Sequence, residues 1–458
     1  MSSAYPAEEE VVICGAGIAG VSAAYFLAAR QGVQRVILVD ELPPLSLTSD
    51  HSTECYRNWW PDEAMVALLS RSIDLLEELA EISNNVFHLN RRGYLYCTAE
   101  AAKIPTIQQS AEAISRLGAG PLRIQRGLPS EPPYIPAQAE GYRQGLSGAD
   151  LLLDPALIQQ NFPGLSGSIV AALHVRRAGW FSAQQLGMYF LEQARLHGAS
   201  FVSGRVVEVE KRKQRVQAVL LADGRRIETN CLVLAAGPYL PEAARMLGID
   251  LPVYNELHLK AAINDPLGVV LRRSPLLIWT DPQELDWSEE ERQAIAEDPQ
   301  LTWLLQTLPS GVHTRPEGGS GSQMILMLWE YHNARVEVEF PLPTDPQYPE
   351  IALRGLSRMV PGFRGYYGKF ARPRIDGGYY TRTRENRPLV GRLPVEGAYV
   401  IGALSGFGMM ACCGAAELLA AYVAHGALPD YAPAFALERY QDPGYQKRLE
   451  NWGESGQL

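Results

Sequence analysis

The sequence is poor in the features that mark several enzyme and binding classes. None of its six cysteines (Cys14, Cys55, Cys97, Cys231, Cys412, Cys413) is paired in C-x-x-C spacing, which argues against a zinc ribbon and a thioredoxin-like redox motif. There is no H-E-x-x-H, no clean G-x-S-x-G elbow and no Walker A lysine. Positive charge is also short. Lys and Arg number 41 against 51 Asp and Glu, and the net charge of -10 disfavours nonspecific binding to nucleic acid or anionic membranes. The longest apolar stretch, "GMMACCGAAELLAAYVA", is interrupted by Glu417, so no transmembrane segment is expected. Adjacent Cys412 and Cys413 fall on that stretch and read as core packing. The opening "MSSAYPAEEE" has neither a basic nor an apolar signal region, so a cytoplasmic protein with reduced thiols is expected.

What is present begins with "EEVVICGAGIAGVSAAYFLAARQGVQRVILVDE". Val11 to Cys14 reads as a buried strand, Gly15, Gly17 and Gly20 form G-x-G-x-x-G, and a helix runs to about Arg30. Gly32 ends that helix, and a second buried strand, Arg35 to Val39, leads to Asp40. Each part has a mechanical reason. Gly15 permits a tight turn, Gly17 lets the backbone approach a pyrophosphate, and Gly20 lets the helix pack close. The free N–H groups of the helix start, at Ile18 and Ala19, favour phosphate. Asp40, with Glu41 beside it, is placed to accept from ribose hydroxyls, and an acid there would repel a 2′-phosphate. A dinucleotide is therefore expected, NAD or FAD rather than NADP.

The rest of a 458-residue chain separates those two. An NAD dehydrogenase usually follows its fingerprint with a compact catalytic domain. Here nucleotide-domain patterns return twice. "GWFSAQQLGMYFLEQARLHGASFVSGRVVEVE" combines a helix, the Gly198 stop and alternating strands that include Val206 and Val207. It leads to "ETNCLVLAAGPYLPEAARML", a hydrophobic strand ending at Ala235, Ala236 and Gly237. Later, "GAYVIGALSGFGMMACCGAAELLAAYVAHG" runs a strand into Gly402, Ser405, Gly406, Phe407, Gly408 and Met409, and then a long helix. A second helix N-terminus approached this closely suits the negative charge of a reduced flavin edge.

These segments, with "GGYYTRTRENRPLVGRLP", resemble the D-amino-acid-oxidase-like FAD family, the group of glycine oxidase, sarcosine oxidase and dimethylglycine dehydrogenase. The resemblance covers nearly the whole chain. It implies an α/β plus α+β architecture: a Rossmann-like FAD-binding domain (10–85, 151–250 and 370–440) and an interleaved substrate domain on a mainly antiparallel sheet (86–150 and 251–369). "LHLKAAIND", "PLLIWTD", "SGVHTRPEG" and "QMILMLWEY" would supply strands, and Trp287 to Leu308 an amphipathic helix. The implied activity is oxidation of the C–N bond of an amino acid or N-substituted amine by hydride transfer to flavin N5, giving an imine that hydrolyses. Electrons would pass to O2 or to an unknown redox partner. A dehydrogenase using a protein or quinone acceptor and a noncatalytic assembly factor are the alternatives.

The resemblance also places site residues. Tyr380 stands where sarcosine oxidase-like members carry a flavin-facing tyrosine, and Tyr379 should point to the opposite strand face. Gly378 occupies the position of a flavin-linking cysteine and His51 is no secure counterpart of a flavin-linking histidine, so noncovalent FAD is expected. Met410 replaces a carboxylate-anchoring lysine, and Lys260 is the nearest substitute for an oxygen-activating one. Anchors for substrate are then Arg57 and Arg315, with Arg382 third. The stretch "TSDHSTECYRNWWP" becomes a loop over the cofactor: Thr48, Ser49, His51 and Ser52 toward phosphates or ring, Arg57 with Tyr56, Trp59 and Trp60 as pocket wall, and Pro61 in the next helix's first turn. His51 and Glu54, spaced on a loop, do not suggest a metal site.

Overall fold

The computed structural model describes residues 10–450 except 144, 333 and 370–372, together with Trp452. Four of the apolar runs become strands of one six-stranded sheet. Its order is Leu389–Arg392, Ala398–Gly402, Cys231–Leu234, Glu10–Cys14, Arg35–Asp40 and Ala199–Ser203, parallel except at the first pair. Continuous apolar strands suit a sheet covered on both faces. Val11 and Ile13 pack with the helices Ile18–Tyr25, Ala183–Leu196 and Gly408–Val423, whereas Val12 packs on the other side. That other side carries the antiparallel strands Val206–Arg212, Arg215–Leu221 and Arg226–Glu228 and the helix Leu240–Met246. Ser405–Val423 is apolar and long enough to cross a membrane, yet 78% of that window is buried inside the protein. Glu417, which interrupts it, is held by Arg71 at 2.7 and 2.5 Å.

A ten-stranded sheet forms the second layer among the described residues. Tyr254–Asn264 lies near one end, paired with Arg374–Arg382 along one edge and with Met324–Leu328 and Arg335–Val336 along the other. The sheet then runs through His313–Pro316, Leu276–Trp279, Tyr94–Thr98, Ala171–Val175, Ala149–Leu152 and Leu122–Gln125, antiparallel but for two junctions. The domain ranges read from sequence shift accordingly. Ala171–Val175 and Arg374–Arg382 belong to this sheet, not with the parallel one, because apolar alternation identifies a strand but not its hydrogen-bonded neighbour. The expected junction at residue 370, like the N-terminal stretch 1–9, lies outside the described residues.

Two local expectations are corrected. The Trp287–Leu308 helix is only Glu289–Glu297, started by a capping box between Ser288 and Glu291. It stops at Asp298 (φ -102°, ψ 108°) because Pro299 drives its predecessor out of the helical region. Pro61 lies just before the next helix, Glu63–Ile82, and not in its first turn; Asp62 caps that helix, accepting from Met65 N at 2.9 Å.

Candidate active site

Three connected cavities lie between the two sheets. The first, about 800 Å³, is lined by Gly15, Gly17, Ile18, Ala19, Asp40, Glu41, Thr48, Ser49, Val206, Val207, Ala236, Gly237, Gly402, Ser405 and Gly408, among others. It shares Ile18, Thr48, Ser405 and Gly408 with a narrow second cavity, which adds His51, Ser52, His258, Lys260, Gly378, Tyr380, Gly406 and Met409. Thr53, Tyr380 and Gly406 then lead into a chamber of about 600 Å³. The sequence of spaces, long then narrow then wide, suits a dinucleotide, a flat ring and a substrate.

Backbone sterics build the first cavity. Gly15 has φ +110°, and a Cβ there would lie 2.4 Å from Ala235 O, so no other residue fits the turn. Gly20 is not a wall of the cavity; a Cβ on it would sit 1.9 Å from Gly15 O, which makes it the support of that turn. Neither helix N-terminus facing the cofactor space, at Gly17 or at Phe407, is capped by its own side chain. Ser49 Oγ accepts from Ile18 N at 2.9 Å and so ties the covering loop to the glycine turn. Asp40 differs from expectation. Its two oxygens accept from Ala16 N (2.7 Å) and Leu42 N (3.0 Å), so it also stitches the turn together. Glu41 is the more open acid on the same wall, with Arg205 at 3.7 Å.

The large sheet supplies the opposite wall. Along Tyr254–Asn264, Glu256, His258 and Lys260 alternate with Leu257, Leu259 and Ala261, so three ionisable side chains share one face. Across the pair, Glu256 faces Tyr380, His258 faces Gly378 and Lys260 faces Asp376. The His258 ring stacks on Tyr380 with centroids 3.7 Å apart and planes 13° apart. Its nitrogens lie 3.3 Å from Glu256 Oε2 and 2.9 Å from Glu330 Oε1. Burial opposes charge on this imidazole, but Glu330 and Glu256 outweigh it and push the pKa up to about 9. Glu256 also binds Arg382 at 3.0 Å. Burial pushes the Tyr380 phenol far above its ordinary range, so it stays protonated. Lys260 is tied to Ser52 O (3.0 Å) and Asp376 (3.4 Å) beside the narrow cavity.

Arg57 is 5% exposed and lines the wide chamber. Cys55–Arg57 pairs with Ala178–Trp180, and alternation sends Cys55 and Arg57 to the chamber while Tyr56 donates to Asn90 O behind it. Arg57 Nε donates to Trp59 O, and its guanidinium lies over Trp60 and Tyr94 at 4.9 and 5.5 Å. Among the described residues no carboxylate pairs with it. Of the aromatics expected beside it, Trp60 forms wall; Tyr56 and Trp59 do not.

Two further expectations are corrected. Arg315 lines none of these three cavities. It is 1% exposed, donates to Thr53 O at 3.1 and 2.8 Å, and pairs with Glu54 and Glu317. Its work is to hold the Thr53–Glu54 backbone. Phe407 faces the wide chamber, edge-on to Trp60 at 5.3 Å, and does not line the cofactor space. Glu256, His258, His313 and Glu330 escaped the sequence reading altogether. The E-L-H-L-K alternation was the available signal for the first two; nothing local marked Glu330 or His313.

No curated protein matches the chain by sequence. Solved structures share its fold. L-proline dehydrogenase from P. horikoshii superposes with a TM-score of 0.72 at 18% identity, covering 95% of this chain and 99% of that one. Glycine oxidase from Geobacillus kaustophilus gives 0.70 at 15% identity, with 94% and 98% covered. Iminodiacetate oxidase from Chelativorans sp. BNC1 gives 0.68 at 20%, with 93% and 98% covered. The family profile described as FAD dependent oxidoreductase matches residues 10–422, most of the chain, including the first two cofactor segments and the third as far as residue 422. The chain therefore belongs to the D-amino-acid-oxidase-like family of FAD-dependent oxidoreductases.

Proposed function

We propose that the protein oxidises the C–N bond of an amino acid or a secondary or tertiary amine bearing a carboxylate, giving an imine that hydrolyses in water. The observation that carries this reading is Arg57: a buried guanidinium, free of any acid among the described residues, facing a chamber that opens onto the flavin-ring space. A charge in that position is stabilised by an incoming carboxylate, and the planar fork of arginine suits bidentate binding. Trp60, Tyr94, Phe407 and Met410 supply the apolar wall beside it, which orders the substrate and excludes water. The Tyr380 phenol, held by the stacked His258 ring, donates a hydrogen bond at the junction of chamber and ring space.

The residues present fit FAD. The Gly15–Ala19 turn would take the pyrophosphate, Glu41 with Asp40 the ribose side, Val206 and Val207 the adenine side, and Gly402 to Met409 the ring edge. FAD bound there supplies the two-electron acceptor for the hydride leaving the carbon next to nitrogen. Noncovalent attachment is favoured by crowding at Gly378. A Cβ there would meet Thr48 at 2.9–3.1 Å, leaving no room for a linking cysteine.

The test is a visible spectrum followed by an amine panel. Purified protein should show flavin bands, and acid should release the flavin into the supernatant. Oxygen uptake with N-substituted amino acids is expected, or reduction of an artificial dye if a redox partner replaces oxygen. Flavin-loaded protein that turns over no amine with either acceptor would overturn the reading.

A further inference from the structure

The wide chamber holds a histidine in the opposite condition to His258, which lines the adjoining narrow cavity. His313 stands on His313–Pro316, is 8% exposed and lines the chamber with Arg57 and Tyr380. Its Nδ1 lies 2.7 Å from Gly311 O; a carbonyl only accepts, so Nδ1 carries the hydrogen. Nε2 is left with its lone pair and has no partner among the described residues. Both nitrogens of His258, by contrast, are taken by carboxylates.

We propose that His313 Nε2 is the proton acceptor that neutralises the substrate's ammonium before oxidation. The proposal rests on the reading of the chamber as an amino-acid or amine site. In an α-amino carboxylate the nitrogen is two bonds from the carboxyl carbon, so a substrate anchored on Arg57 carries its nitrogen into the same part of the chamber. The step breaks an N–H bond of the ammonium and forms Nε2–H on His313; no electrons change centre. The amine regains the lone pair that must assist departure of hydride from the adjacent carbon. The proton then leaves through the open side of the chamber.

Groups facing His313 support this role. Burial lowers its pKa, with Arg57 and Arg315 adding to the effect, while the Gly311 hydrogen bond and Glu330 oppose it. Its strand neighbours Ile278 and Leu328 are uncharged. Five other titratable groups on the wall are poor acceptors: Glu256 and Glu330 are held ionised by His258, and the phenols of Tyr94 and Tyr380 and the thiol of Cys55 are pushed up by burial; Tyr254, Arg382 and Arg384 complete the set. Two imidazoles in adjoining cavities, one held charged by carboxylates and one with an open nitrogen, form a natural division between fixed cation and free base.

The experiment pairs His313→Asn, whose amide keeps the bond to Gly311 O, with His313→Gln. Both should retain flavin and bind an amine-free carboxylate as the wild type does. Their kcat/KM for the amine should fall roughly 100-fold at neutral pH and recover as pH rises toward the substrate's own pKa. A pH-independent loss, or a wild-type profile in both variants, would overturn the proposal. Imidazole ¹⁵N titration of the wild type gives a readout free of turnover. It should show His313 neutral with hydrogen on Nδ1 and His258 protonated at pH 7; a protonated or Nε2–H His313 would overturn the proposal even if the variants fail to fold. Wild-type protein that oxidises no amine at all sinks the chamber reading itself, a failure distinct from a wild-type profile in the variants.

Discussion

The cofactor space and the substrate chamber meet at Tyr380 and Gly406, yet they are built by different physics. The first is walled by backbone: a glycine turn, two helix starts whose N-cap residues supply no side-chain cap, and the ends of parallel strands. Its specificity is steric and dipolar, and most of it comes from three contiguous segments. The chamber is walled by side chains from Cys55, Tyr94, Glu256, His313, Glu330 and Tyr380, drawn from across the chain. Its character is set by which charges are satisfied and which are left open. His258, behind Tyr380 in the adjoining cavity, is ion-paired with two carboxylates and Arg57 with none among the described residues, and that difference assigns their roles.

The comparison is open to attack from its strongest point downward. Gly15→Val places a branched Cβ against Ala235 O at a φ of +110° and should abolish flavin retention outright, seen as loss of visible absorbance after purification. Flavin content near wild type would show that the turn tolerates bulk and the cofactor space is not sterically defined. Next, Arg57→Gln should keep the flavin and lower kcat/KM by roughly 100-fold through KM, because one charge-assisted anchor is lost. An unchanged KM would remove Arg57 from the chamber's chemistry.

The third prediction concerns the saturated imidazole. The His258 pKa stands at about 9 against an ordinary 6.5, so its proton stabilises the folded state fully below pH 6.5. That contribution is lost as pH rises through 9. Glu330→Gln removes one of the two carboxylates and should flatten the fall in Tm over that interval by about two or three degrees. Parallel melting curves for mutant and wild type from pH 6.5 to 9 would contradict the ion-pair account. The smallest effect belongs to Ser49→Ala. Losing the bond to Ile18 N should weaken FAD about fivefold, measured by fluorescence titration of the apoprotein.

Legibility in the sequence followed the same division. The glycine turn, the covering loop with Thr48, Ser49, His51 and Ser52, and the Gly402 to Met409 turn all line the spaces where their local pattern put them. Gly20 and Asp40 fell in the right motif but proved to brace it. The chamber was read poorly. Arg315 looked like an anchor because a buried arginine on a strand face is ambiguous until its partners are known; Thr53, Glu54 and Glu317 take it up. Phe407 was assigned by its place in a cofactor motif, and helix geometry turned it to the other side. Ala171–Val175 and Arg374–Arg382 looked like parts of the cofactor unit because neighbouring segments were.

The sequence by itself determined the dinucleotide turn and the parallel sheet, since those rest on steric rules that act within a few residues: a turn only glycine can make and strands apolar on both faces; the family and its flavin followed from the resemblance that the separated cofactor segments carry together. The charge state of the chamber was decided only by the tertiary structure. Glu256, His258, Glu330 and Arg382 form one electrostatic unit because three strands lie side by side, and His313 keeps its lone pair because Gly311 O, two residues before it, is turned to meet Nδ1. Protonation depends on distances of a few ångströms, several of them between residues far apart in the chain, and no local pattern encodes the whole set.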